Sequence, residues 1–219
     1  MLSRTASDLY WMSRYLERAE NLARMLEVSY LLSLMPQAGR TDGHAELAMS
    51  LLASGTIMRN DAYGFIRLGT FLERADNTLR LLDARYEMFG EASEEVSDDS
   101  ARGYYQWSAL LRALTSYEAF NEIYRNAPTA QSVSELLLLR VDVPRSLHSC
   151  IEELDQILAS LPGKTGRPAQ RMAAELNARL RYTAIDEIME AGLHLWLTDF
   201  VGRINQLGQT VHNAYLEVI

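Results

Sequence analysis

Apolar residues recur at intervals of three and four along almost the whole chain, which is the spacing of one face of an α-helix. The first stripe consists of Leu9, Met12, Leu16, Ala19, Ala23, Leu26 and Tyr30. Strict alternation of apolar and polar residues between turn signals, which indicates a β-strand, does not recur. The pattern predicts an all-α fold, a multi-helix bundle of roughly six to eight helices in a single domain over residues 1–219.

Prolines, glycines and capping residues divide this pattern into separate helices. We expect one long helix from about Thr5 to a point before Pro36, and a second from about Arg59 to a point before Gly90. Shorter helices are predicted near residues 45–53, 103–125, 129–139 and 143–161.

The connections between helices carry their own signals. Residues 91–102 are acidic and polar without periodicity, so they predict a loop. The segment LPGKTGRP at 161–168 is the clearest break in the chain and marks a possible subdivision of the domain. Pro128 and Pro144 each fit the first turn of a helix, and Asp142 fits a cap for the second of these helices.

The last predicted region, residues 169–218, is helical, with Gly192 bending or dividing it. Its apolar stripe repeats at about 3.5 residues, as in a coiled coil. The stripe consists of Leu193, Leu197, Phe200, Ile204, Leu207, Val211, Ala214 and Val218. Because such a stripe can pair with a second copy of the chain, a homodimer through residues 193–218 stays open.

Charge balance and cysteine content limit the classes of partner and compartment. The net charge is -8 and the pI about 5.1, so the chain lacks the positive field that non-specific nucleic-acid binding or a polybasic membrane patch requires. Its one cysteine, Cys150, can form no intramolecular disulfide. No apolar run is long enough to span a bilayer. We expect a soluble cytoplasmic protein that binds neither nucleic acid nor membranes.

One charged phrase occurs twice: YLERAENL at residues 15–22 returns as FLERADNT at residues 71–78. Over the longer windows 15–30 and 71–86, eight of sixteen positions are identical. The identical positions hold leucine, glutamate, arginine, alanine, asparagine and tyrosine in the same order. A match of this kind predicts one helix that is placed twice in the fold.

Helical geometry separates the repeated phrase into two faces. The predicted core face consists of Leu16, Ala19, Ala23 and Leu26 in the first copy and includes Leu72 and Ala75 in the second. The opposite face is predicted to point away from the core. It consists of Tyr10, Arg14, Glu17, Asn21 and Arg24 in the first copy, with Arg18 on its flank, and of Ile66, Thr70, Glu73, Asn77 and Arg80 in the second.

Several interpretations of this polar face stay open. Pairs four residues apart, such as Glu20 with Arg24, explain some of its charges within one helix. Glu73 and Arg74, in contrast, have no opposite charge three or four residues away. We expect the two helices to pack side by side, so that glutamate and arginine of one copy meet arginine and glutamate of the other. The alternatives are a ligand or partner site and a solvated face.

These considerations define the candidate residues, without assigning a catalytic role to any of them. The candidate polar network or binding face consists of Glu17, Arg18, Asn21, Arg24, Glu73, Arg74, Asn77 and Arg80. Secondary candidates are Tyr10 at the head of the face and Arg140, Asp142 and Arg145 in the connection LLLLRVDVPRSLHSC.

Other chemistries fit the residues less well. Glu17 with Glu20, and Glu73 with Asp76, are spaced like carboxylates of di-metal bundles, but no histidine follows either phrase and the adjacent arginines would repel a cation. We therefore predict no metal and no cofactor. Cys150 and the histidine two residues before it point to different faces of a helix, so Cys150 is predicted to be a buried structural cysteine.

Several stretches together resemble the bacterial alpha-E domain family. They are MLSRTASDLYWMSRYLERAENLARML, MRNDAYGFIRLGTFLERADNTLRLLDARY, YYQWSALLRALTSYEAF and LLLLRVDVPRSLHSC, and the resemblance covers nearly the whole chain. What matches most specifically is the Glu-Arg phrase itself, at Glu17 with Arg18 and Glu73 with Arg74. Family members are usually longer between the two phrases, whereas only residues 31–58 separate them here.

The resemblance implies an all-helical domain and a functional context. Such proteins are encoded beside, or fused to, a circularly permuted ATP-grasp protein, with transglutaminase-like proteins and sometimes a proteasome-like peptidase nearby. This company implies a peptide-synthesis or protein-modification system. The resemblance carries no catalytic residues over to this chain.

We therefore expect an accessory helical protein that works with an ATP-grasp amide-bond ligase. One alternative is an enzyme whose polar cleft, lined by Glu17, Arg18, Glu73 and Arg74, performs acid–base chemistry on a peptide-like substrate. Another is a self-assembling structural bundle that dimerises through its last helix.

Overall fold

A computed structural model of the chain describes residues 3–33, 61–90, 101–161 and 165–216. These residues form nine α-helices and a closing π-helical turn, with no strand among them, so the predicted all-α fold is confirmed. The elements are α1 (Ser3–Ser33), α2 (Asp61–Gly90), α3 (Ala101–Ala113), α4 (Tyr117–Tyr124), α5 (Ala130–Leu139), α6 (Leu147–Ser160), α7 (Arg167–Tyr182), α8 (Ile185–Ala191), α9 (Leu193–Val211) and the π-helical turn (His212–Leu216).

The two long helices of the prediction are α1 and α2, and their bounds lie close to those expected. The helix predicted near residues 45–53 and most of the loop predicted at 91–102 lie outside the described residues. None of the described helices combines the length and the hydropathy needed to cross a membrane.

The predicted helix over residues 103–125 is divided into α3 and α4. The break lies at Thr115, whose φ of 50° is in the left-handed region. The backbone N–H of Ser116 donates a hydrogen bond to the carbonyl oxygen of Leu111 at 2.8 Å, which closes the end of α3. A β-branched residue rarely adopts this conformation. For that reason nothing in the local sequence predicts the break.

Side-chain caps begin α5 and α6. Thr129 forms a capping box with Ser132 at the start of α5. The side chain of Ser146 accepts a hydrogen bond from the backbone N–H of Ser149 at the start of α6. The prediction that Asp142 caps this helix is wrong. Helix α6 begins at Leu147, too far along the chain for Asp142 to reach the N–H groups of its first turn.

The predicted helical region 169–218 is divided twice. Gly192 separates α8 from α9 with a φ of 92°, a conformation that glycine adopts without steric cost. A second break, which the sequence pattern did not indicate, follows Tyr182. There the hydroxyl of Thr183 donates to the carbonyl oxygen of Arg179 at 2.8 Å and satisfies the end of α7.

Helix α2 lies at the centre of the described helices and contacts α1, α6 and α9. Its apolar side chains are buried along its whole middle section. They are Phe65, Leu68, Phe71, Leu72, Ala75, Leu79 and Leu82. The predicted core positions Leu72 and Ala75 are therefore confirmed.

The apolar stripe of the last helix contributes to the same core. Its buried members are Leu193, Leu197, Phe200, Ile204, Leu207 and Val211. Val218 lies outside the described residues, and Ala214 is partly buried. The buried members are packed against the chain's own helices. The homodimer through residues 193–218 stays a prediction.

Helices α1 and α2 run side by side in the same direction. Glu73 contacts Arg14 and Arg18, which are 59 and 55 positions away in the chain, and Glu17 contacts Arg74, which is 57 positions away. The two copies of the repeated phrase are 56 positions apart. Since these offsets are nearly equal, equivalent positions of the repeat lie next to each other, and the two phrases face one another in register.

The two helices approach most closely at Gly69. A β-carbon added there would lie 2.5 Å from the backbone carbonyl oxygen of Tyr10 and closer still to the hydroxyl oxygen of Ser13. No side chain fits at such a distance, so the crossing requires glycine on α2 and a small residue on α1. One turn further along each helix lie Glu73 and Glu17, and the crossing brings these two residues to the interface.

The faces of α1 are the reverse of those predicted. Leu16, predicted to lie in the core, is 56% exposed, whereas its counterpart Leu72 is 1% exposed. Glu17, predicted to point outward, is 3% exposed. Periodicity identifies the apolar face of a helix but does not specify what that face packs against. Here the close approach at Gly69 turns the face with Ser13 toward α2, and Glu17 is carried inward with it.

Candidate functional site

Arginine and glutamate side chains meet between α1 and α2. The Glu73 carboxylate, 4% exposed, accepts hydrogen bonds from Nε of Arg14 at 2.9 Å and from Nε of Arg18 at 2.5 Å. Nε of Arg74 donates to Oε1 of Glu17 at 3.1 Å. Glutamate of each copy is therefore bound by arginine of the other, as the two-helix hypothesis expects. Whether these residues have a functional role stays a prediction.

The turn before α6 adds a further arginine to this arrangement. Nη1 of Arg145 lies 3.2 Å from Oε1 of Glu17, and Nη2 lies 3.2 Å from Oε1 of Glu20. The backbone of the turn is held to α2, because the hydroxyl of Thr78 donates to the carbonyl oxygen of Arg145 at 3.0 Å. Glu20 is also paired with Arg24. The contacts form two sets of ion pairs, one around Glu73 and one around Glu17 and Glu20. We call the eight residues of both sets the ion-pair cluster: Arg14, Glu17, Arg18, Glu20, Arg24, Glu73, Arg74 and Arg145.

The ion-pair cluster has more positive than negative groups. It contains five arginines and three glutamates, which gives a formal charge of +2 inside a chain of net charge -8. Burial, reinforced by neighbouring guanidinium groups, lowers the pKa of Arg145 and lowers that of Arg24 to about 10, while the carboxylate of Glu17 acts in the opposite direction on both. The cluster therefore holds positive charge that its own carboxylates do not balance.

An amide group lies unsatisfied within this arrangement. Nη1 of Arg145 donates to Oδ1 of Asn21 at 3.0 Å. This bond sets the orientation of the amide, since a flipped amide would place two donors face to face. Nδ2 of Asn21 is then buried and has no hydrogen-bond partner among the described residues. A buried donor of this kind is costly to leave unpaired.

Three other candidate residues lie on α1 and α2. Tyr10 is buried beside the ion-pair cluster, where Arg14 donates to its hydroxyl at 3.2 Å, and burial raises the pKa of Tyr10. Arg80 pairs with Asp76 within α2 at 2.7 Å. Asn77 is partly buried on the same helix.

Two secondary candidates lie away from the ion-pair cluster. Arg140 binds both carboxylate oxygens of Asp142 at an exposed turn, at 2.8 and 2.5 Å, and this hydrogen bonding lowers the pKa of Asp142. Their local pairing accounts for both side chains. Of the three secondary candidates in the connection before α6, Arg145 is the one that belongs to the ion-pair cluster.

Two cluster members, Arg14 and Glu20, are absent from the candidate set. Each lies three residues from Glu17, on either side of it, which places all three on adjoining positions of one helix. This spacing is the sequence signal that marks both as neighbours of Glu17. The carboxylates of Glu17 and Glu20 are both bound by guanidinium groups. Their spacing therefore does not support a di-metal site.

Cys150 lies in α6 on the side of the ion-pair cluster. It is fully buried as a free thiol, which confirms the predicted burial. Burial raises the pKa of the Cys150 thiol to about 12, so the group stays protonated and unreactive at neutral pH.

The opposite face of α1 presents an apolar surface. We call it the outer face of α1, and it consists of Met12, Tyr15, Leu16, Ala19, Leu22 and Ala23, all of them exposed. The equivalent leucine and alanine of α2, Leu72 and Ala75, are buried in the core. The leucine and alanine of the repeated phrase are thus buried in α2 and exposed in α1.

These features define an all-helical domain in which two Glu-Arg dipeptides are paired across neighbouring helices. The family model for Alpha-E, described as a predicted alpha-helical domain with a conserved ER motif, matches the chain over residues 1–51 and 43–216. The chain belongs to the Alpha-E family. Glu-Arg occurs in it at Glu17 with Arg18 and at Glu73 with Arg74. Neither the curated proteins nor the solved structures contain a match to this chain.

Proposed function

We propose that this chain is a non-catalytic accessory protein that binds a protein partner through the outer face of α1. We further propose that this partner is a circularly permuted ATP-grasp amide-bond ligase of a peptide-synthesis or protein-modification system. The observation that carries the proposal is the exposure of Leu16 beside the burial of its repeat counterpart, Leu72. A lone reduced cysteine suits the cytoplasm as the place where the two proteins meet.

The outer face of α1 has the composition of a binding surface. It combines aliphatic, methionine and tyrosine side chains on consecutive turns of one helix. Contiguous exposed apolar residues of this kind are characteristic of partner sites, whereas scattered ones are not. A helix that offers such a face can be laid into a hydrophobic groove, and side chains three and four positions apart then serve as anchors.

The choice of partner rests on the resemblance of the sequence to alpha-E proteins, which are found with ATP-grasp proteins. It is an association by context and does not follow from the geometry of α1. The geometry supports the narrower part of the proposal, namely that a partner covers the outer face.

The ion-pair cluster favours a structural role over acid–base catalysis. Glu17 and Glu73 are 3% and 4% exposed, and each accepts hydrogen bonds or close contacts from two guanidinium groups. Guanidinium groups hold both oxygens of Glu73 and Oε1 of Glu17, so these carboxylates are poorly placed to take a proton from a substrate. For this reason the enzyme hypothesis is the weaker of the two.

Self-assembly through the last helix is also less well supported, because the described part of its stripe is buried. If a second copy were the partner, it would have to bind at the outer face of α1 instead. Sedimentation of the purified protein distinguishes this case from a heterologous partner.

Co-purification with the ATP-grasp protein tests the proposal. Leu16→Asp together with Leu22→Asp should abolish capture while leaving the thermal unfolding midpoint nearly unchanged, since both side chains are exposed. The control is Leu195→Asp, which makes the same kind of change once, at an exposed leucine of α9. This variant should bind the ligase as the wild type does.

Three outcomes would contradict the proposal. Full capture by the double variant would exclude the outer face. Equal loss in Leu195→Asp would show that added charge alone is responsible. Crosslinks from position 16 to residues 34–60 of the same chain would show that the outer face is covered from within.

A further inference from the structure

We propose that the partner segment bound at the outer face of α1 is an amphipathic helix that places a basic residue, arginine or lysine, opposite Asp8. This inference rests on the proposed function and deepens it, because it states the chemistry of the segment that covers this face. It excludes a second copy of the chain as the occupant.

Exposed residues form a line along α1, with three and four positions between them in turn. We call this line the exposed seam, and it consists of Thr5, Asp8, Met12, Tyr15, Ala19 and Leu22, all of them exposed. This is the spacing of the contact positions in a coiled coil. The other two residues of the outer face, Leu16 and Ala23, lie on its flank and widen the contact surface.

The spacing of the exposed seam favours a helix as its occupant. At a rise of about 1.5 Å per residue, the seam extends over about 25 Å. A second helix that crosses α1 at about 20° stays in contact over such a length. The side chains of an extended segment point to one face at every second residue, so they do not follow the spacing of the seam.

Asp8 places a carboxylate among the contact positions of an otherwise uncharged seam. It is exposed, and its carboxylate forms no ion pair with another described side chain. Water solvates this charge in the free protein. A docked helix removes that water, and an unpaired charge is costly to bury. An arginine or lysine of the docked helix offsets this cost and fixes the register of the two helices.

A second copy of α1 does not supply this basic residue. In a parallel pair of equal register, Asp8 meets its counterpart in the other copy, and like charges repel. In an antiparallel pair that aligns Met12 with Leu22, position 26 lies opposite Asp8, and the sequence has an uncharged leucine there. Both arrangements leave Asp8 without a counter-charge. Its charge therefore favours a partner with a different sequence.

Affinity for the ATP-grasp protein tests the inference with the full chain. Asp8→Arg places a positive charge opposite the basic residue, so we expect the dissociation constant, measured by isothermal titration calorimetry, to rise at least about tenfold. The matched control is Glu175→Arg, which makes the same change of charge at an exposed acidic residue of α7. This control should bind as the wild type does. An unchanged affinity in Asp8→Arg, or an equal loss in both variants, would overturn the inference.

The same measurement separates this inference from the proposed function. If Leu16→Asp with Leu22→Asp abolishes binding while Asp8→Arg binds as the wild type does, the outer face is the binding surface and the inference about the basic residue fails alone. If all of these variants bind as the wild type does, the proposed function fails as well. Because the substituted side chains are exposed, thermal unfolding midpoints close to that of the wild type should show that the variants are folded.

Photo-crosslinking tests whether the bound segment is helical. A photoreactive phenylalanine analogue is placed at position 15 in one preparation and at position 22 in another, and mass spectrometry identifies the crosslinked residues of the ATP-grasp protein. The two positions are about 10 Å apart along α1. A docked helix covers this distance with about seven residues, which is the expected spacing of the crosslinks, and an extended segment covers it with about three. Crosslinks about three residues apart, or crosslinks to a second copy of the chain, would overturn the inference.

Discussion

At the scale of single residues, the repeated glutamates are the least expected feature of the chain. Glutamate is seldom buried unless it is paired, and Glu73 is both buried and bound by Arg14 and Arg18. Desolvation of such a group offsets much of its attraction to the arginines. The ion pairs therefore contribute more to the alignment of α1 and α2 than to stability. Removing one partner, however, leaves the other charge buried without compensation, which is strongly destabilising.

Replacing Glu73 with glutamine tests this view. Glu73→Gln leaves Arg14 buried without its counter-charge, so we expect a loss of about 3–5 kcal/mol in the free energy of unfolding, measured by urea denaturation. The matched control is Asp199→Asn. Asp199 also lies between two arginines, at 3.1 and 2.9 Å, but is exposed.

Exposed ion pairs contribute about 0–1 kcal/mol, so Asp199→Asn should have little effect. Equal losses in the two variants would show that the burial of Glu73 is not what makes it important.

At the scale of elements, the pairing of α1 with α2 depends on one close approach. Gly69 has no side chain, and Tyr10 and Ser13 occupy the space that a β-carbon would need. The sequence contains this glycine within an otherwise regular helix, where glycine is unfavourable. Its position one turn before Glu73 connects the crossing of the helices to the ion-pair cluster.

Gly69→Ala is expected to destabilise the protein by about 1–3 kcal/mol, because the added methyl group forces α1 away from α2. Gly202→Ala in α9 is the control. A β-carbon there meets nothing within 4 Å, so the change should stabilise the helix by about 0.5–1 kcal/mol. Urea denaturation of both variants measures the difference. Stabilisation by Gly69→Ala would contradict the close approach described here.

At the scale of the whole molecule, two copies of one phrase occupy different environments. Helix α2 contacts α1, α6 and α9 along its length, whereas α1 contacts α2, α3 and the π-helical turn. The identical leucines of the two copies are consequently buried in one case and exposed in the other. The position of a helix in the bundle, and not its own sequence, decides which of its apolar residues form the core.

Alanine substitutions at the two leucines test this difference. Leu72→Ala should lower the free energy of unfolding by about 2–5 kcal/mol, because it leaves a cavity in the core. Leu16→Ala should change it by less than about 0.5 kcal/mol, since the side chain is exposed. Denaturation of the isolated chain measures both effects. A large loss in Leu16→Ala would show that the outer face is covered within the chain.

The all-α fold, the two long helices and the contact between the repeated phrases could all be predicted from the sequence. Helical periodicity is a local property, and the charges of Glu73 and Arg74 find no partner in their own helix. These observations favour an interhelical contact over a solvated face. The sequence alone also identified Arg145 as a secondary candidate, although it gave equal weight to Arg140 and Asp142.

The direction in which α1 faces was decided by tertiary structure alone. An amphipathic pattern favours burial of the apolar side, and the prediction followed that preference for Leu16. The close crossing at Gly69 instead places Glu17 and Asn21 inside and leaves Leu16 outside. Periodicity is a property of one helix, whereas burial depends on which neighbours surround it. For that physical reason the sequence specified the helices and their charged contact, and the packing of the bundle decided which face of α1 is free to bind.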